Sequence, residues 1–288
     1  TPYPTLFPYT TLFRSGLGNQ IFQIFATMSY AIKRRNKFKF INVKTIGDGT
    51  TAVRSTYWET FFSKLTPFLI LEIPPVHIIR ENEFTYNNFV VHEMMDKDIL
   101  LYGYFQSYKY FQENYDVICR LIGINKMKEA LLLKLNINNE RLENTVSMHF
   151  RIGDYKKIQE HHPLATYDYY ERSLCHLQTE IPTIPLNILF FCEEVDYDDV
   201  TFMIYKLSLH FPNYTFTRAS NTLDDWEQLL LMSCCHHNII ANSSFSWWGA
   251  YFNSSVDKMV CYPSVWFGDA SKNDTRDLCP DDWIQIAV

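Results

Sequence analysis

The sequence predicts an α/β protein with parallel sheets, and three observations predict it. From residue 145 onward, apolar and β-branched runs alternate with helical stretches, the pattern of strands joined by crossover helices. One of those runs, Thr145-Val146 into Ser147-Met148-His149-Phe150-Arg151-Ile152-Gly153-Asp154-Tyr155, ends in a His, an Arg, a Gly and an Asp. A buried strand delivers charged groups in this way to the open end of a sheet, where α/β proteins bind ligands. Near the start, Gly16-Leu17-Gly18-Asn19-Gln20 opens a helix, and a Gly-rich loop feeding a helix N-terminus is a ready anion site.

The elements follow in chain order. Thr1 to Ser15 is rich in Pro, Thr and Leu-Phe pairs and lacks the regions of a signal peptide, so it reads as a foreign or disordered tail (1–15). The helix after Gly16 carries apolar residues at Ile21, Phe22, Phe25, Met28 and Ile32, and Lys33-Arg34-Arg35 suits its negative C-terminal end. Ile21 stands where a dinucleotide fingerprint needs a further Gly, which disfavours a nicotinamide or flavin site. Strand-like pieces at 38–43 and 89–92 alternate with joins at Pro67, Pro74 and Pro75. Ile99–Tyr102 leads into an aromatic cluster, Gly103 to Phe111, and an amphipathic stretch covers 113–135. The polar segment 136–144 reads as a join between a domain at 16–144 and one at 145–288.

The second half predicts strands at 146–150, 186–192, 214–218 and 237–241, with helices at 167–178, 200–211 and 224–235 between them. Asn242-Ser243-Ser244-Phe245-Ser246-Trp247-Trp248 then carries a strand end into another helix.

Composition sets looser bounds. A chain of 288 residues can bury two proper cores, and a net charge of −6 without a basic run leaves no footprint for nucleic acid. Seven cysteines with no Cys-x-x-Cys pair support neither a zinc knuckle nor a redox motif, and scattered thiols fit a reducing, cytoplasmic compartment. No apolar run approaches the ~20 residues of a membrane span, which leaves only peripheral membrane association open. Asn-x-Ser/Thr triplets at Asn213, Asn242, Asn253 and Asn273 read as coincidental.

Arg151 offers five donors in a planar fork suited to a phosphate or pyrophosphate. Gly153 allows close approach or a positive φ where the strand ends. Taken by itself the segment also fits a solvated strand end with a structural Arg–Asp pair, and a His in a strand is more often structural than catalytic. The adjacent Trp247 and Trp248 could stack on a sugar or a base, although paired aromatics at a helix start are more often core.

Four segments together resemble the α-1,2-fucosyltransferase family, whose members move fucose from GDP-fucose onto galactose: GLGNQIFQIFA (16–26), GYFQSYKYF (103–111), HFRIGDY (149–155) and LMSCCHHNIIANSSFSWWGAYF (231–252). The resemblance covers the chain from residue 16 onward. It implies a GT-B type fold with two facing Rossmann-like domains, an inverting and metal-independent reaction with no cofactor, and a nucleotide sugar held mainly by the C-terminal half. Arg151 and His149 match the motif that grips the donor pyrophosphate; Ser243, Ser244 and Phe245 match a second phosphate-proximal loop, and Gly18 and Asn19 the N-terminal loop. Gln106 and Tyr108 are the acceptor-side candidates, with plain packing the competing explanation for both. Asp154 is a candidate orienter of Arg151, and the base for the acceptor hydroxyl stays open among Asp154, Glu193, Glu194 and His162.

The chain departs from the family pattern where Ser15 replaces an apolar first strand, and where Cys192-Glu193-Glu194 replaces a Ser-Asp-Asp type segment. The implied partners are GDP-fucose and a galactose-terminated glycan. The rival readings are another GDP-fucose transferase (α-1,6 or O-linked) and an inactive sugar-nucleotide or glycan-binding protein.

Overall fold

The computed structural model describes residues 5–8 (backbone), 16–46, 54–88, 98–138, 142–182, 185–271 and 273–288. The chain divides into two compact units, Thr1–Lys126 with Asn273–Pro280, and Met127–Lys272 with Asp281–Val288.

In the first unit the described elements are β1 (Thr5–Pro8), α1 (Leu17–Arg34), β2 (Lys37–Phe38), β3 (Phe40–Ile41), β4 (Thr45–Ile46), β5 (Arg54–Ser55), β6 (Leu69–Ile70), β7 (Val76–Arg80), β8 (Asp98–Tyr102) and α2 (Tyr115–Ile122). A parallel sheet runs in the order β2-β1-β8-β7, so Thr5–Pro8, expected as part of a foreign or disordered tail, is instead an inner strand, its backbone paired with β2 on one side and β8 on the other. Ile21, Phe22, Phe25 and Met28 of α1 are fully buried, as their spacing predicts. Lys33 and Arg34 lie in the last turn of α1, and Arg35 closes the helix in a left-handed conformation at φ 56°.

The strand expected at 38–43 is instead two short strands in different sheets, β2 against β1 and β3 against β6. Phe38 packs on Phe68 with ring centroids 4.6 Å apart, whereas buried Phe40 packs on Trp58 at 5.6 Å. The piece expected at 89–92 lies outside the described residues. The amphipathic stretch 113–135 is two helices, α2 and α3 (Ile124–Lys134), because Gly123 turns left-handed at φ 87° and ends the first.

The second unit holds the β/α alternation. Its elements are β9 (Thr145–His149), α4 (Tyr167–Glu180), β10 (Asn187–Phe191), α5 (Tyr197–His210), β11 (Thr215–Arg218), α6 (Asp225–Met232), β12 (His237–Ile239), α7 (Ser244–Tyr251), β13 (Val260–Pro263) and β14 (Ile284–Ile286). Six strands form one parallel sheet in the order β11-β10-β9-β12-β13-β14. Every residue of β9 is buried, as befits a central strand covered on both faces.

Two devices fix the ends of these strands. The Tyr170 hydroxyl donates to the His149 carbonyl at 2.9 Å, and the Tyr169 hydroxyl to the Ile240 and Cys261 carbonyls at 2.5 and 3.1 Å. Buried Asn238 donates to Ser147 Oγ at 2.7 Å and accepts from Asn253 Nδ2 at 2.8 Å, tying the sheet to the turn after α7. Trp247 and Trp248 are both fully buried and belong to the core. Asn242 and Asn253, from the triplets noted above, are buried at 2% and 4% exposure, so neither is an accessible acceptor for a glycan.

Candidate active site

β9 ends at His149, and the chain passes through Phe150 to Arg151 at the C-terminal edge of the parallel sheet. The Phe150 amide still bonds the Phe191 carbonyl at 2.8 Å, so the ladder holds the chain in register up to the residue before Arg151. The Arg151 guanidinium lies over the Tyr155 ring, 4.8 Å from its centroid. One terminal nitrogen pairs with Glu193 and the other with Asp154. These carboxylates hold the Arg151 pKa above its ordinary value despite burial, which acts the other way. The side chain is 18% exposed, while Asp154 and Glu193 are more than half exposed. The fork is therefore fixed in place by partners that themselves remain in solvent.

Gly153 takes the positive φ anticipated for it, 29°, and its amide donates to Asp196 Oδ2 at 2.7 Å. Asp196 is itself buried and gave no signal in the sequence. His162 also stacks on the Tyr155 ring, at 4.7 Å and 20°, so Tyr155 contacts both Arg151 and His162. Burial, followed by the charge of neighbouring His161, lowers the His162 pKa.

His149 is 8% exposed, and its Nδ1 is buried with no hydrogen-bond partner among the described residues. Burial first and the Arg151 charge second push its pKa down to about 3, so the ring is neutral at physiological pH. Its ring lies 5.6 Å from Phe245 in α7. Ser243 caps α7, its hydroxyl accepting from the Phe245 amide at 3.3 Å, and Ser244 is the first helical residue. The preceding Asn242 donates to the Pro163 and Trp266 carbonyls at 2.8 and 3.1 Å and fixes the loop, while its carbonyl accepts from the Tyr155 hydroxyl at 3.3 Å. The structure thus brings His149, Arg151 and Asp154 to one strand end, and Phe245 against His149. Asn242 and Tyr155 are the supporting residues the sequence reading missed; only the position of Asn242 immediately before the Ser-Ser pair hinted at a role.

Of the four carboxylate and histidine candidates for the base, Asp154 and Glu193 are engaged with Arg151. Glu194 accepts from Arg218 at 2.7 Å and from Asn221 at 3.0 Å, and those two bonds lower its pKa. His162 makes no ion pair among the described residues.

The first unit carries its own cluster. Gly18 and Asn19 sit inside the first turn of α1, which starts at Leu17, rather than in the loop before it; Gly16 is the N-cap. Asn19 Oδ1 accepts from Gln106 Nε2 at 2.6 Å, so two candidates far apart in sequence meet. Tyr108 opens a short 3₁₀ turn capped by Ser107, whose hydroxyl accepts from the Lys109 amide at 3.3 Å. Among the described residues, no helix is long and apolar enough to cross a membrane.

Comparison with known proteins sharpens this picture. The family model for glycosyl transferase family 11 matches residues 77–287, which include three of the four motif segments and leave 16–26 outside. An O-antigen biosynthesis glycosyltransferase of Escherichia coli, WbnK, is 32% identical over 192 residues, a match spanning 65% of this chain and 60% of that protein. An α-1,2-colitosyltransferase of E. coli is 26% identical across 94% of this chain and 96% of its own length. A galactoside 2-α-L-fucosyltransferase of Caenorhabditis elegans is 22% identical across 98% of this chain and 80% of its own.

Solved structures show the fold. A family 9 glycosyl transferase from Veillonella parvula aligns with a TM-score of 0.50 at 9% identity, covering all of this chain and 87% of that one. POFUT1 in complex with GDP aligns with the same score and identity over 91% of this chain and 98% of its own. The fold is that of the GT-B glycosyltransferases, as the motif resemblance implied. With its family match running from β7 through β14 and the His149–Arg151 strand end inside it, the chain belongs to glycosyl transferase family 11.

Proposed function

We propose that this glycosyltransferase moves L-fucose from GDP-fucose to the 2-hydroxyl of a terminal β-galactoside, with inversion and without a metal ion. The observation that carries the reading is Arg151, a permanent cation fixed at a strand end by Tyr155, Asp154 and Glu193. Two of its five N–H groups serve those carboxylates, and the fork keeps further N–H groups that can donate to a diphosphate. Breaking a sugar–diphosphate bond places negative charge on the leaving nucleotide, and a preorganised donor stabilises that charge as it develops. The first-turn amides of α7 and the neutral His149 add donors without adding a charge that would need desolvation. Gly18 and Asn19 remain donor-side candidates, and Gln106 and Tyr108 acceptor-side candidates, in this reading.

The names of two relatives that cover most of the chain support an α-1,2 linkage. Because one of them is a colitosyltransferase, a second reading keeps the linkage and changes the donor sugar. Seven free cysteines support a cytoplasmic location. The deciding experiment measures GDP release from GDP-fucose with and without lactose, in EDTA, followed by linkage analysis of the product. Lactose-stimulated release with an α-1,2 product is the expected result. Release only from the colitosyl nucleotide would favour the second reading, and GDP binding with no turnover on either donor would sink both.

A further inference from the structure

Glu81 follows directly on β7, at the C-terminal edge of the first unit's parallel sheet. Its carboxylate lies across the turn that follows β8. Oε2 accepts from the Tyr104 amide at 2.7 Å and from the Phe105 amide at 3.0 Å, and Oε1 accepts from Phe105 at 3.1 Å. The fit leaves no slack, since a Cβ on Gly103 would stand 2.4 Å from Glu81 Cβ and 2.6 Å from Oε2. Phe105 sits at φ 54°, a left-handed backbone that costs a non-glycine residue on the order of 1–2 kcal/mol. That conformation persists only because its surroundings impose it. The same turn is gripped from α1, where Gln23 Nε2 donates to the Gly103 carbonyl at 3.1 Å. The next residue is Gln106, whose amide reaches Asn19 at 2.6 Å.

The surroundings of Glu81 supply no counter-ion: among the described residues no Lys or Arg makes an ion pair with it. Tyr110 faces it, with Tyr86 and Asp277 beyond, and Asp277 is paired with Lys109. The preceding Arg80 lies over the Tyr102 ring at 4.3 Å. Burial pushes the Glu81 carboxyl up to about 7, against the two amide bonds that pull it down. A group with no cation, bonded to two successive backbone amides beside a strained residue, is built to hold a turn.

We propose that Glu81 is the positioning residue of the turn Gly103–Gln106: by accepting the Tyr104 and Phe105 amides it sets the Gln106–Asn19 contact, and through it the binding of the acceptor. The second half of that statement rests on the fucosyltransferase reading, with Gln106 on the acceptor side. The first half is independent of it.

The experiment therefore has two arms. Gly103-Tyr104 is the only Gly–Tyr pair in the chain, so protein labelled with ¹³C-carbonyl glycine and ¹⁵N-tyrosine gives one amide resonance correlated to a labelled carbonyl. In the wild type, the Tyr104 amide proton should move downfield as pH rises through about 7, reporting ionisation of its acceptor. In Glu81→Gln the titration should vanish. A wild-type Tyr104 amide that shows no titration anywhere from the ordinary carboxylate range up through about 7 overturns the proposal without any variant having to fold.

The kinetic arm compares Glu81→Gln and Glu81→Asp with wild type on GDP-fucose and lactose. Loss of a charged acceptor should raise the acceptor KM roughly tenfold while kcat and the donor KM stay within about twofold. A fall in kcat with acceptor KM unchanged would overturn it in favour of direct proton transfer by Glu81. A wild type that transfers nothing defeats the fucosyltransferase reading, and the amide arm then decides the role of Glu81 by itself.

Discussion

Removing Arg151 should separate catalysis from folding more cleanly than any other change in this chain. In the free protein its two ion-pair partners, Asp154 and Glu193, have side chains 57% and 54% exposed. Exposed pairs contribute about 0–1 kcal/mol each, and both carboxylates return to water when the arginine is gone. The guanidinium also covers the Tyr155 ring, worth roughly 1 kcal/mol more at a half-buried site. Arg151→Ala should therefore lower stability by about 1–2 kcal/mol, a Tm drop of a few degrees in a domain of this size. In the proposed reaction the same side chain is a preorganised charged donor to the diphosphate, and loss of such a donor typically costs ~10²–10³ in rate. Arg151→Lys keeps the charge but offers a point donor instead of a fork, so it should fall between the two. Thermal melts and steady-state GDP release on the three proteins are the assay. An Arg151→Ala enzyme within tenfold of wild type, or a variant that fails to fold, would refute the reasoning.

Two further outcomes follow from the same sheet. His149 stays neutral in the folded protein down to about 3, while an unfolded imidazole takes its proton near 6.5. The unfolded state binds the extra proton across that window, so stability should fall as pH drops from about 6.5 toward 3; urea melts of His149→Asn should show a shallower fall, and an unchanged slope would dismiss the imidazole as its source. Asn253 donates to the Cys235 and His236 carbonyls at 2.9 and 3.0 Å as well as to Asn238. Asn253→Ala strands those buried acceptors and should cost roughly 2–4 kcal/mol by chemical denaturation, with activity per folded molecule preserved.

The second unit was legible because its strands are long, apolar and flanked by turn residues. Each predicted strand there is present, with ends shifted by one or two residues, since a ladder's end depends on its neighbour's length as much as on its own sequence. What stayed hidden is short or set by partners. The three-residue β14 and four-residue β13 bury against strands placed by the rest of the fold, and the strand Val76–Arg80 follows directly on the join at Pro74 and Pro75 and was not anticipated. At the site, the motif residues His149, Arg151, Asp154 and Ser243 stood out as polar groups at apolar strand ends. Tyr155 and Asn242 did not, because a tyrosine under a guanidinium and an asparagine bonded to two distant carbonyls show their roles only once the chain has folded.

On the proposed reading, the ion pairs on Arg151 bear on how the donor enters. Two carboxylates around one guanidinium leave the strand end with a net negative charge before any diphosphate arrives, and the incoming group is negative as well. Asp154 lies three residues from Arg151 in sequence and must stay close to it wherever the backbone goes, so its pairing is local. Glu193 comes from the loop after β10 and is free to swing into water. Exchange of Glu193 for a diphosphate oxygen replaces a weak exposed pair with a charge-assisted bond in a drier place, a net gain of about 1–2 kcal/mol. Glu193→Gln removes the competitor and a like charge from the ligand's surroundings. With the screening of a half-exposed site, a like charge beside the ligand is worth on the order of 1 kcal/mol. GDP should accordingly bind the Glu193→Gln protein roughly three- to tenfold more tightly, with the gain shrinking in high salt. If calorimetry shows weaker GDP binding instead, Glu193 is holding the fork in its productive orientation rather than occupying it, and the departure from the family's Ser-Asp-Asp segment would then be a functional replacement for it.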